Sequence, residues 1–160
     1  MISFNKKQKG FFLIEVVVAT AVAATVVIFL LGLVQNTVRI SAAALERTQA
    51  SYLLEEGQEA TKTIRDGGWS NISLLSNGTN YYFLWSGSEW TLNTTPSSVD
   101  SFTRTISFEE VYRDVNDDIA SSGGTLDTRT RKGTVTVSWT TSSGSSKSES
   151  LTFYIADIRT

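Results

Sequence analysis

The stretch "KKQKGFFLIEVVVATAVAATVVIFLLGLV", Lys6 to Val34, decides how the rest of the chain is read. From Phe11 to Val34 it carries a single charged side chain, Glu15. About 24 residues at about 1.5 Å rise make roughly 36 Å of helix, enough to cross a hydrocarbon layer of about 30 Å. Lys6, Lys7 and Lys9 precede the apolar run, and Arg39 is the first cation after it. That lysine excess predicts a cytoplasmic N-terminus with the remainder of the chain outside. A secretory signal peptide would have a shorter apolar region, about 7 to 15 residues. The segment "SAAALE" nevertheless offers Ala42-x-Ala44 as a cleavage site, which would release a secreted domain beginning near Leu45. A plain signal anchor accounts for length and charge asymmetry but leaves Glu15 unexplained. An acid at the centre of a membrane helix costs about 2.5 to 3.5 kcal/mol, and such residues usually have a partner.

Glu15 stands five residues after Gly10, in the order Lys6-Lys7-Gln8-Lys9-Gly10 and then "FFLIE". Here the sequence resembles the type IV pilin family, which includes the pseudopilins of type II secretion and related competence systems. The family motif is a basic leader, a glycine, an aromatic residue, and an apolar run with glutamate at its fifth position. The resemblance implies that a prepilin peptidase cuts after Gly10 and methylates the new amine of Phe11. The residues suit that chemistry, because glycine leaves the scissile backbone unhindered and the lysines hold it at the cytoplasmic face. The amine of Phe11 is a cation before and after methylation, and Glu15 of a neighbouring subunit can pair with it. Since each subunit carries both halves, the contact repeats head to tail, and a non-closing rotation builds a helical filament.

The partners so implied are other pilin or pseudopilin subunits, the prepilin peptidase, an inner-membrane assembly platform, and lipid before extraction. The implied location is the inner membrane, single-pass, and afterwards a pilus or a periplasmic or extracellular filament. The rival reading is a membrane-anchored extracytoplasmic adhesin or binding protein that does not polymerise.

Helical periodicity continues beyond Val34. Val38, Ala42, Leu45, Gln49, Tyr52, Leu53, Ala60 and Ile64 recur at spacings of three, four and seven, with charged residues between them. Gly57 weakens this helix by up to about 1 kcal/mol. The segment "RDGGW" stops it, with Gly67 and Gly68 after the last charged turn. One helix from Phe11 to Asp66 would be on the order of 80 Å long. It lacks the kinking proline that many pilins carry in the first half.

After Trp69 the period becomes two. Tyr81 to Trp85 and Glu89 to Leu92 read as a hairpin around Gly87. Phe102, Ile106 and Phe108, then Val135, Val137 and Trp139, then Leu151, Phe153 and Ile155 alternate with polar residues, as in half-buried antiparallel strands. The expected class is α+β: a long N-terminal transmembrane and amphipathic helix with a small antiparallel sheet packed on its distal half, as in pilins. Its expected divisions are a leader at 1–10, a transmembrane half at 11–34, an amphipathic half at 35–66 and an extracytoplasmic sheet domain at 67–160.

Histidine and cysteine are absent, which removes thiol nucleophiles, imidazole acid–base catalysis and disulfides. With 14 Lys and Arg against 16 Asp and Glu, the net charge of −2 argues against nucleic acid as a partner. Glu109 and Glu110 are adjacent in a predicted strand and so point to opposite faces, a poor geometry for paired carboxylates. The expectation is a protein that is not an enzyme but the substrate of one.

"DVNDDIA" sets Asp114, Asn116 and Asp118 at alternate positions, the oxygen spacing of a calcium loop, without the glycine or the final glutamate of an EF-hand. A solvated acidic turn is the simpler reading. Asn71, Asn77 and Asn93 begin glycosylation triplets of a kind common by chance in a Ser/Thr-rich chain. Trp69, Tyr81, Tyr82, Trp85 and Trp90 could stack sugars or bases, although strand spacing favours a core role. Arg129, Arg131 and Lys132 form a basic cluster, expected on a solvated loop.

Overall fold

The computed structural model describes residues 9–141 and 144–158. Most of the leader, including Lys6 and Lys7, lies outside the described residues. The first element is a helix of 59 residues, α1 (Lys9–Gly67), followed by one short turn of helix, α2 (Ser70–Ser73). Six strands follow: β1 (Tyr81–Trp85), β2 (Trp90–Asn93), β3 (Ser98–Val99), β4 (Phe102–Arg113), β5 (Thr125–Thr140) and β6 (Ser146–Ala156). The chain divides into two compact units at the junction of Leu45 and Glu46.

In the N-terminal unit every described side chain from Phe12 to Leu45 is exposed. A helix apolar on all sides belongs in lipid or in a large core, and none of the described residues covers it. Its hydroxyls are satisfied locally, because Thr20, Thr25 and Thr37 donate to the carbonyls of Val16, Ala21 and Leu33, each at 2.9 Å. Such back-bonding leaves none of these three hydroxyls unpaired in an apolar solvent.

In the second unit the strands form one antiparallel sheet in the order β2-β1-β4-β5-β6, with β3 also beside β4. The hairpin expected from Gly87 is present, with Trp85 opposite Trp90. Phe102, Ile106, Phe108, Val135, Val137, Trp139, Phe153 and Ile155 line the inner face and bury the helix stripe Ala50, Leu54, Ala60 and Ile64. The architecture is thus α+β, one helix on one face of a sheet.

The buried stripe is not quite the one periodicity suggested. Tyr52 is 67% exposed and Gln49 is exposed, while Ala50 and Leu54 are buried. Gly57 explains the rotation. A Cβ at Gly57 would lie 2.9 Å from Cγ1 of Val135 and 3.3 Å from Cδ of Arg104, so the missing side chain lets the helix settle on β5. The residue that weakens the helix is one where it lies close against the sheet. Gly57→Val should therefore destabilise the protein by about 2 kcal/mol through overpacking. A lowered urea midpoint, read by tryptophan fluorescence of the full chain in micelles, checks this.

β4 and β5 continue past their alternating apolar cores because of a bulge. Glu110 pairs with Arg131, but the next residue, Val111, pairs with Asp127, so residues 128–130 of β5 have no partner in β4. The irregularity reverses the parity of β4 and buries Val111 while Glu110 stays exposed.

The basic cluster is corrected here. Arg129, Arg131 and Lys132 lie in β5, not on a solvated loop, and they separate. Arg131 faces inward and is 6% exposed. Lys132 faces outward, 3.0 Å from Glu109, whose hydrogen bond and charge hold the ammonium above its ordinary pKa. Arg129 lies within the bulge, 3.9 Å from Asp157.

A second cation, Arg104, is also buried under the helix at 4% exposure. Its Nη1 donates to the carbonyl of Leu53 at 3.2 Å and to Glu56 at 2.8 Å. Its guanidinium lies over Phe83 and Trp90, 4.9 and 5.4 Å from their centroids. The charge is paired, stacked and used to tie helix to sheet.

Candidate assembly element and surface sites

The motif residues fall at the start of α1. Helical backbone begins at Lys9, so the Gly10–Phe11 peptide bond lies inside the first turn. Glu15 follows Phe11 by one helical turn, about 6 Å along the axis. Its side chain is exposed and has no hydrogen bond or ion pair among the described residues. It is surrounded along the helix by Phe12, Leu13, Ile14, Val16, Val17 and Val18, all exposed. The described helix from Phe12 is long and apolar enough to cross a membrane, and its most apolar window is wholly uncovered.

The acidic segment after β4 is a tight turn. Asp114 Oδ1 accepts the backbone N–H groups of Asn116 at 2.8 Å and Asp118 at 3.1 Å, and Asp117 adopts φ +69°. Asp114 thus spends one oxygen on its own turn, as an Asx motif does. Among the described residues no three acidic side chains gather in a way that could hold a metal.

The stronger charge arrangement here escaped the sequence reading. Arg113 Nε donates to Asp127 across the hairpin at 2.6 Å, and Asp117 lies 3.6 Å away. Burial pushes the Asp127 carboxyl up, but hydrogen bonds from Arg113, Thr130 and the backbone N–H of Arg129, with the charge of Arg113, outweigh it and leave the pKa below the ordinary value. A depressed carboxyl pKa contributes stability that is present above the unfolded value, about 3.9, and is lost as pH falls through the folded value. The urea midpoint should fall as pH drops below about 4. Asp127→Asn should flatten that part of the profile while lowering the midpoint at neutral pH.

The remaining residues serve separate ends. Glu109 pairs with Lys132, whereas Glu110 accepts the Tyr112 hydroxyl at 3.0 Å, so the two acids share no partner. Asn71 sits in α2 and donates to the Ile64 carbonyl at 3.3 Å. Asn77 accepts from Arg131 at 2.7 Å. Asn93 ends β2 and accepts the Thr95 N–H at 3.2 Å. Among the aromatics, Tyr81 is core and Trp69 is half-buried, donating its indole N–H to the Thr128 carbonyl at 3.2 Å. Tyr82 is half-buried, and Trp85 and Trp90 form a tilted pair at the hairpin end.

Neither a protein-family model, nor a curated protein, nor a solved structure matches the chain. The class it defines is therefore a structural one: an α+β chain with one membrane-length N-terminal helix and one antiparallel sheet.

Proposed function

We propose that the chain is a structural subunit of a type IV pilus-like filament, a minor pilin or pseudopilin. It is held in the membrane until a prepilin peptidase cuts between Gly10 and Phe11, and is then assembled through α1. The observation that carries this reading is Glu15: a lone, uncovered acid one turn after Phe11, in an otherwise apolar stretch of helix that none of the described residues buries.

Cleavage changes the environment of that acid. Removal of residues 1–10 makes Phe11 the first residue of the helix, so the new ammonium and the positive end of the helix dipole both come to lie near Glu15. The carboxylate becomes a partner for the Phe11 ammonium of the next subunit, and its cost in an apolar setting is offset only where subunits stack. Lipid is the first solvent of α1 and neighbouring copies of the same helix are the second. The sheet, attached to the distal part of that helix, becomes the outward face of the filament. In this reading the protein performs no catalysis of its own.

The experiment is the N-terminal sequence of the native protein. A start at N-methylated Phe11 supports the proposal. An intact Met1 instead supports a membrane-anchored binding protein, and a start near Leu45 supports a secreted domain.

A further inference from the structure

We infer that the β1–β2 hairpin and the end of α1 form a binding cleft for a neutral saccharide. The cleft measures about 280 Å³ and is lined by Ile64, Asn71 and Leu75 together with Glu89, Trp90, Thr91 and Leu92 of the hairpin. That lies near the lower end of small-molecule sites, about 300 Å³, and has room for a single sugar ring.

The tryptophans separate into two pairs by what their indole N–H groups do. Trp69 donates to the Thr128 carbonyl and Trp139 donates to Glu46 at 3.1 Å, so both are spent inside the fold. Trp85 and Trp90 have no hydrogen-bond partner among the described residues, and both stand on the hairpin. Their rings lie 5.2 Å apart at 51°, and Trp85 is 51% exposed. Trp90 is fixed from behind by the edge of Phe83, at 6.3 Å and 89°, and by the guanidinium of Arg104. A ring so held offers a rigid face at little entropic cost.

The polar groups around that face are of mixed kind. The Trp90 N–H can donate, the Glu89 carboxylate and the Asn71 carbonyl oxygen can accept, and so can the Thr91 hydroxyl, whose own proton goes to the Leu84 carbonyl at 3.4 Å. A sugar needs this combination, an apolar ring face for its C–H groups and both donors and acceptors for its hydroxyls. Glu89 repels phosphate, which disfavours nucleotides. Arg104 already occupies the π face of Trp90 from within, which disfavours a second cation such as a quaternary ammonium. The inference does not depend on whether the chain polymerises.

The test uses the full chain, isotope-labelled and unassembled, in zwitterionic micelles. Its indole N–H resonances are followed by NMR during titration with cellobiose, lactose, maltose and chitobiose. At millimolar sugar, at least one of these should move the Trp90 signal and leave Trp69 and Trp139 in place. Glu89→Ala, at an exposed position on the cleft, should weaken that response by about tenfold while the Trp69 and Trp139 signals keep their native positions. No movement with any of the four sugars, equal movement of all four indoles, or a response to choline alone would each overturn the assignment. Because the readout is a resonance of the free subunit, a negative result leaves the filament reading standing.

Discussion

Glu15→Ala should insert into the membrane as the native chain does and then fail to enter filaments. The two halves of this expectation have opposite causes. Removing an acid from an apolar helix relieves a cost of about 2.5 to 3.5 kcal/mol at mid-membrane, less near an interface, so insertion cannot suffer. In the packed filament the same change leaves the ammonium of Phe11 without its counter-charge in a low-dielectric setting. Breaking a buried pair by removing one partner costs about 3 to 5 kcal/mol, and about 1.4 kcal/mol is a factor of ten. Incorporation into sheared filaments, measured by immunoblot against the membrane pool, should therefore fall roughly a hundredfold. Glu15→Gln keeps the shape and removes the charge, so it should fail nearly as badly. Normal incorporation of either variant would refute the role given to Glu15.

The second large effect lies in the fold. Arg131→Ala should destabilise the protein by about 3 to 5 kcal/mol. Its Nη1 donates to the Ser73 carbonyl at 2.9 Å, and its Nη2 to the Leu75 carbonyl at 3.1 Å and to Asn77 Oδ1 at 2.7 Å. The guanidinium also lies 5.8 Å from the centroid of Phe108. One side chain thus collects three acceptors from the end of α2 and the irregular segment that follows it and holds them to β5. Truncation leaves a void beneath that segment and those acceptors without their donor. Set against a total stability of about 5 to 15 kcal/mol, the loss threatens folding itself. Arg131→Met refills the space without restoring the donors and should fall between the two. Lys132→Ala, one residue away on the outer face, removes only a solvent-screened pair and should cost under about 1 kcal/mol. Urea midpoints for the three variants, read side by side, separate these cases.

Much of this fold could be read without coordinates, for definite physical reasons. A membrane-length apolar run and strict alternation at Phe102–Phe108, Val135–Trp139 and Leu151–Ile155 are strong periodic signals, and each corresponds to an element. Glu15 was conspicuous for its isolation, and nothing among the described residues ends that isolation. What escaped detection depended on parity and register. Arg131 keeps the parity of Val135, Val137 and Trp139 and so points in while Lys132 points out, but the charges of the cluster hid that alternation. The bulge at residues 128–130 shifts the β4–β5 pairing only beyond Arg131. Arg104 follows the same parity as Phe102 and Ile106, which sets it on the inner face despite its charge. The pairing of Arg113 with Asp127 exists only through that register. The helix face was read correctly at Ala60 and Ile64 but out of place at Gln49 and Tyr52, where Ala50 and Leu54 are buried instead. Gly57 counted as a flaw in the helix rather than as a place of close approach.

The seat of Gly57 on Val135 and the tie from Arg104 to Glu56 lie side by side on the same stretch of helix. A pull along the axis of that stretch would load both together, in shear, instead of opening them one at a time as peeling would. Tension arriving through the rod would therefore spread across the middle strands before any one bond had to yield.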